Sequence, residues 1–197
     1  MRKTKNMNRS TRRTRAAIQK AMLAAMDEKP ISSITVQEII NTANVCRTTF
    51  YAHYEDINDL VKSIGDEIID QVGANIQSIS ISSDNLNELP VFTSILNAYY
   101  EHADTIRLLI SENGDPTFNE RMQERIYQAI SDLRRQYDDE IVDEKRLLYY
   151  SYYVIGGGIS VLNKLIRSHQ EWNPEMAKYF LNDMASYGQS VIMKKIV

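Results

Sequence analysis

The stretch from Thr35 to Tyr54, TVQEIINTANVCRTTFYAHY, restricts the fold more than any other part of the chain. Thr35 followed three residues later by Glu38 is a capping-box start, in which each side chain can satisfy a free backbone N–H at a helix N-terminus. A short helix is therefore expected from Val36 to Ala43, with Ile39, Ile40 and Ala43 on one apolar face. Asn44-Val45 ends it, because Asn accepts the left-handed backbone of a sharp helix exit. The next segment, Cys46 to Tyr54, carries Arg47, Thr48, Thr49, Tyr51 and His53 as polar groups, with Phe50 and Tyr54 at anchoring positions. Two short helices around a tight turn, the second rich in hydrogen-bonding side chains, have the chemistry of a DNA-reading helix-turn-helix.

Charge points the same way. The net charge of -3 conceals an asymmetry: residues 1–54 hold ten Lys/Arg against three Asp/Glu, and residues 55–197 hold thirteen against twenty-three. The first twenty residues carry eight basic side chains and no acidic one. A cluster such as Arg9, Arg12, Arg13 and Arg15 suits phosphate neutralisation, since each phosphate contact releases condensed counterions. A solvated tail has the same composition; proximity to the helix pair favours DNA. Ser10 or Thr11 can cap a first helix in which Ile18, Ala21, Met22, Ala25 and Met26 repeat at helical spacing. Pro30 stops it, and Ile31 to Ile34 is a connector.

The runs ITVQEII, ANV and TTFYAHYEDINDL resemble the N-terminal DNA-binding domain of the tetracycline-repressor-like (TetR) family of bacterial transcription regulators, over roughly residues 10–65. The resemblance implies a third helix in the major groove. Carried over by position, the resemblance implies that Arg47 and Thr48 face base edges, while Thr35, Thr49, Tyr51 and His53 mostly hold backbone phosphates. Arg47 matters most for specificity, because an arginine reaches guanine O6 and N7 together. The sequence departs from the family at Asn44, where Gly is usual, and at Ile57, where Lys is frequent. The Arg-rich N-terminal arm is the expected substitute for that missing cation.

The fourth helix is expected from Ile57 to near Ile76, with Leu60, Ile64, Ile68, Val72 and Ile76 at fourfold spacing, capped through Asp56 and Asp59. Residues 78–85, SISISSDN, break the pattern and read as a linker in preference to a strand. Further helices follow: one with Pro90 in its first turn, one capped by Asp104 and ended by Asn113-Gly114, and one opened by Asp115-Pro116. That last helix carries the stripe Met122, Ile126, Ile130, Leu133 and Tyr137. Asp143 leads into the longest apolar helix, and Asn173-Pro174 opens the final one. The reading is all-α, about nine helices, with a helix-turn-helix domain over residues 1–65 and a C-terminal helical dimerisation and regulatory domain over residues 66–197.

The last two helices are apolar over most of their circumference and must be buried on more than one side. In the resembled family such helices form a four-helix bundle across a homodimer, and two-fold symmetry implies a pseudo-palindromic operator on double-stranded DNA. The alternative is a monomer core. Gly156, Gly157 and Gly158 in mid-helix each weaken it by about 1 kcal/mol relative to Ala; close packing of another helix, across the dimer, is the expected compensation. The resemblance also implies a small-molecule effector pocket, for which Phe92, Tyr99, His102, Tyr127 and Tyr153 are the candidates, ordinary core aromatics being the alternative for each.

Enzyme readings find no support: His53, His102 and His169 are far apart, and no HExxH, paired-cysteine, nucleophile-elbow or phosphate-loop pattern occurs. No cofactor or metal is expected, since Glu101-His102 with Asp104 reads as a solvated helix end. Cys46 is read as a small filler in preference to a redox sensor. One cysteine fits a reducing, cytoplasmic setting, and no run of about 18 apolar residues suggests a membrane span. The functional expectation is a homodimeric, sequence-specific DNA-binding repressor released by an effector; the alternative is a co-activator whose C-terminal domain recruits a protein partner.

Overall fold

The computed structural model describes residues 9–79, 89–135, 144–167, 177–181 and 183–184. Among these there are eight α-helices, one turn of 3-10 helix at Ile31–Ser33, and no strand. The helices are α1 (Arg9–Glu28), α2 (Val36–Thr42), α3 (Arg47–Tyr51), α4 (Ile57–Gln77), α5 (Leu89–Glu101), α6 (Ala103–Leu109), α7 (Phe118–Arg135) and α8 (Glu144–Arg167). Residues 177–181 and 183–184 are also helical. The all-helical class read from the sequence is borne out. No helix among the described residues is long and apolar enough to cross a membrane.

The described residues fall into two compact units. The first contains everything up to Asp66 together with Leu108–Pro116; the second contains Glu67–Arg107 and the residues from Thr117 on. In the first unit the predicted α1 stripe is the buried one: Ile18, Ala21, Met22, Ala25 and Met26 face inward. α1 packs on α2, and α2 on α3, with Ile34, Ile39, Ile40, Phe50 and Tyr54 filling the space between them. Ser10 and Thr11 lie inside α1 rather than capping it, because the arginines beside them are good helix formers. Leu108, Leu109 and Ile110 are buried in this unit, and the Ile31 amide donates to the Asn113 carbonyl at 3.4 Å.

α4 begins with interlocked carboxylates: Asp56 Oδ1 accepts from the Asp59 amide at 2.8 Å, and Asp59 Oδ2 accepts from the Glu55 amide at 2.9 Å. Leu60, Ile64, Ile68, Val72 and Ile76 are all buried, as their spacing predicts. Two other helix starts differ from expectation. Asp104 sits within the first turn of α6 instead of capping it, since α5 and α6 are separated by His102 alone. α7 starts at Phe118 and not at Pro116, because the Asp115 amide is drawn back to the Leu109 carbonyl at 2.8 Å.

In the second unit α7 packs on α8. Met122, Ile126, Ala129 and Leu133 form the buried side of α7, with Ile130 only half-buried; Tyr137 lies outside the described residues, as do residues 80–88 and the predicted openings at Asp143 and Asn173-Pro174. Gly73 lies under the Arg125 guanidinium, which a Cβ there would strike. The three glycines of α8 show no such approach from the described residues. A Cβ on Gly156 would be 4.0 Å from the Gln123 amide, one on Gly158 3.7 Å from Leu181 Cδ2, and one on Gly157 would meet nothing within 4 Å.

Candidate nucleic-acid interface

The helix pair is assembled by local chemistry. Thr35, in extended backbone, accepts the Glu38 amide on its Oγ1 at 3.3 Å and so caps α2. The Glu38 carboxylate, expected to complete the box, pairs with Lys29 Nζ at 2.7 Å. Asn44 adopts φ 52°, the left-handed conformation that turns the chain towards α3. The second helix of the pair is shorter than the sequence suggests: α3 ends at Tyr51, and its one buried residue is Phe50. Docking by a single ring leaves the remaining faces of α3 open.

Those faces carry most of the predicted residues. Thr35, Arg47, Thr48 and Tyr51 are exposed, and Thr49 and His53 are half-buried. Arg47 and Tyr51, one turn apart, act as a pair: an Arg47 Nη donates to the Tyr51 hydroxyl at 3.4 Å, and the guanidinium carbon lies 5.6 Å from the ring centre. Tyr51 in turn meets the Phe50 ring edge-on at 5.5 Å. The guanidinium is thus held against the Tyr51 ring, a pre-ordering that lowers the entropy an arginine loses on engaging a planar partner. Gln37 Nε2 donates to Asn41 Oδ1 at 2.9 Å, extending the polar surface along α2.

Two features have local geometry that the sequence did not reveal. Cys46 is exposed at the N-cap of α3, with its Sγ 3.1 Å from Thr48 Oγ1 and 2.9 Å from Thr49 Oγ1. Hydrogen bonds from Thr48 first, then Thr49, lower its pKa to about 7. A thiol with a lowered pKa is deprotonated above that value, so alkylation by iodoacetamide is expected to reach half its limiting rate near pH 7. A midpoint in the ordinary thiol range, followed by mass spectrometry, would contradict this. The other feature is Arg15 of α1, which donates to Ser63 Oγ of α4 at 3.2 Å. Burial first, and then the charge of Arg15, lower the pKa of His53, favouring its neutral ring. Partners 48 residues apart leave no local sequence signal.

The predicted effector residues do not share one environment. Tyr99 is fully buried on α5, its hydroxyl has no hydrogen-bond partner among the described residues, and burial pushes its pKa up. Tyr153 is 76% exposed on α8. Tyr127 stacks on Tyr152 at 5.2 Å, and the Tyr152 hydroxyl donates to Glu124 at 3.1 Å, which raises its pKa. His102 Nε2 lies 3.0 Å from Gln71 Oε1. The side chain of Phe92 lies outside the described residues. A depression of about 450 Å³ in this unit is lined by Asn75, Ser78, Pro90, Thr93, Ser94, Asn97 and Lys178, and none of the five predicted residues is among them.

Comparison with known proteins places these features in context. Residues 87–187 match the TetR C-terminal family model, described as a transcriptional regulator C-terminal region. Over 185 residues the chain is 28% identical to an uncharacterized HTH-type transcriptional regulator of Bacillus subtilis, covering 91% of this chain and 46% of that protein. The chain therefore spans about half the length of this curated relative. Among solved structures, a TetR transcriptional regulator from Streptococcus agalactiae superposes with a TM-score of 0.63 at 25% identity, covering 90% of this chain and 96% of the other. A dihydroxyacetone kinase operon activator shares the fold with a TM-score of 0.57 at 16% identity, over 93% and 96% of the two chains.

Proposed function

The chain belongs to the TetR family of transcriptional regulators, and from that membership we propose that it is a homodimeric, sequence-specific DNA-binding protein working in the cytoplasm. The observation that carries the reading is the exposed Arg47–Tyr51 pair on a helix whose only buried side chain is Phe50. In this reading residues 1–65 bind DNA and residues 66–197 dimerise and regulate. Arg47 and Thr48 read base edges, while Thr35, Thr49, Tyr51 and His53 hold the phosphate backbone.

The dimer reading is supported by what the second unit leaves uncovered. Tyr149, Tyr153, Tyr179, Phe180 and Met184 are exposed large side chains among the described residues, and a Cβ on Gly157 of α8 would meet none of the described residues within 4 Å. Covering this surface with a second copy produces a two-fold axis and hence a pseudo-palindromic operator. The protein acts as a repressor released by a small-molecule effector that shifts the population away from the DNA-competent spacing of the two reading helices. The buried Tyr99 hydroxyl, without a partner among the described residues, supports an effector, because such a group gains a hydrogen bond from a ligand that reaches it. The exposed aromatic surface supports the second reading, a co-activator that recruits a protein partner.

The test is selection of binding sites from random duplex DNA, repeated with Arg47→Ala. The unmodified protein is expected to recover a two-fold-related sequence. Arg47→Ala is expected to lose about 1–3 kcal/mol of discrimination at one base pair per half-site while retaining salt-dependent non-specific binding. Recovery of no preferred sequence by the unmodified protein sinks the reading.

A further inference from the structure

We propose that the depression lined by the end of α4 and one face of α5 is the binding site of a small, neutral, polyhydroxy molecule such as a sugar or a sugar alcohol. The inference rests on the effector reading above and gives that effector a place and a chemical class. At about 450 Å³ the depression falls within the range of small-molecule sites, about 300–1,000 Å³. Its described walls belong wholly to the second unit. Asn75 lies near the end of α4 and Ser78 just past it, while Thr93, Ser94 and Asn97 come from α5.

α5 is divided lengthwise. Val91, Ile95, Leu96, Ala98 and Tyr99 are buried, whereas Asn97 stands one turn beyond Thr93 and Ser94 on the face that lines the depression. Ser, Thr and Asn are weak helix formers because their side chains compete for backbone hydrogen bonds. A stripe of three in a 13-residue helix therefore costs helical stability that Ala in the same places would not. Ser94 gives an independent sign: its Oγ is buried and has no hydrogen-bond partner among the described residues. Buried polar groups in folded proteins are nearly all paired, so a hydroxyl left over in the wall of a depression points to a partner from outside the chain.

The class of ligand follows from what the wall offers. Hydroxyls and carboxamides both donate and accept hydrogen bonds, and the ligand group that matches them in either direction is an alcohol. A carboxylate only accepts, and an ammonium only donates. The exposed carboxamides of Asn75 and Asn97 flank the depression together with Ser78, whose Oγ donates to the Asn75 carbonyl at 2.7 Å and keeps its lone pairs for accepting. Lys178 is the one charged side chain among the described lining residues. It is already engaged within the protein, with its ammonium 5.7 Å from the Tyr179 ring centre, so the wall is not built around an anion.

Isothermal calorimetry of the full chain against glucose, and against xylitol, is expected to show saturable binding with a Kd of about 1 mM or below. Asn97→Ala, at an exposed position that the core does not use, is expected to weaken both about tenfold. Ser94→Ala is expected to weaken both by a similar factor while its urea midpoint stays in place or rises, because the change removes a buried hydroxyl without a partner among the described residues. A serine with a merely structural role would not move the affinity. No saturable heat with either compound overturns the proposal, as does unchanged affinity in both variants. Tighter binding of glucose 6-phosphate or succinate than of glucose overturns the neutral class. Anisotropy on the duplex recovered by selection, with and without glucose, separates the site from the effector reading. Glucose that binds but leaves DNA affinity unchanged overturns the effector reading and keeps the site; release of DNA by glucose that persists undiminished in both variants keeps the effector reading and overturns the site.

Discussion

Phe50→Ala is expected to cost about 3–5 kcal/mol of stability and to abolish sequence-preferring DNA binding at ordinary temperature. α3 has five residues, far below the length at which a helix holds itself together in water. Phe50 is fully buried, while Tyr51 is 48% exposed. The Phe50 ring also fixes its neighbours: Tyr51 meets it edge-on at 5.5 Å and Tyr54 lies 5.8 Å away. Truncation leaves a cavity in the first unit and removes the support of the ring on which Arg47 stacks. Since a whole domain is stable by only about 5–15 kcal/mol, a loss of this size leaves the unit marginal. Urea unfolding followed by circular dichroism, with anisotropy on the selected duplex, measures both effects. A Phe50→Ala protein that keeps its unfolding midpoint and its sequence preference would show that α3 is held by something other than this ring. Arg47→Ala provides the contrast, because removing an exposed side chain should lower discrimination while leaving the midpoint in place.

The parts of this fold legible in the sequence are those settled within a few residues. Thr35 needs only the Glu38 amide to cap α2, and Asn44 needs only a tolerance of positive φ. The α4 stripe from Leu60 to Ile76 follows from period alone. Where a distant partner decides, the reading fails or is blind. Asp115-Pro116 has the form of a helix opening, yet the Asp115 amide belongs to the end of α6 through Leu109. The exposure of Arg47, Thr48 and Tyr51 was legible because they share one short helix anchored by Phe50. The bond from Arg15 to Ser63, 48 residues away, left no such local sign. The five aromatic and histidine candidates of the second unit were chosen by residue type, and type does not tell a buried Tyr99 from an exposed Tyr153; that difference comes from which face of α5 or α8 is covered, a tertiary fact.

Gly114→Ala is expected to destabilise the protein by about 3 kcal/mol, with the loss felt in the unit that carries α2 and α3. The cause is space, because Gly114 does not have a positive φ. After α6 the chain folds back tightly: the Ser111 amide donates to the Leu108 carbonyl at 3.2 Å, the Gly114 amide to Ser111 at 3.0 Å and the Asp115 amide to Leu109 at 2.8 Å. A Cβ at residue 114 would run into the carbonyl oxygens of Leu108 and Leu109. These are backbone atoms with no rotamer through which to escape, unlike the Arg125 guanidinium over Gly73, which can swing aside. Relieving the clash means lengthening the hydrogen bonds of the turn or withdrawing Leu108 and Leu109 from the core in which they are 7% and 0% exposed. The Asn113 carbonyl, one residue before the substitution, accepts the Ile31 amide beside α1, so the strain passes to the 3-10 turn that leads into Thr35. Urea titration is expected to give a lower midpoint at unchanged m-value, accompanied by weaker binding of the selected duplex as the folded fraction falls. An unchanged midpoint would mean that the turn yields at almost no energetic cost, and that Leu108–Pro116 does not brace the unit that carries α2 and α3.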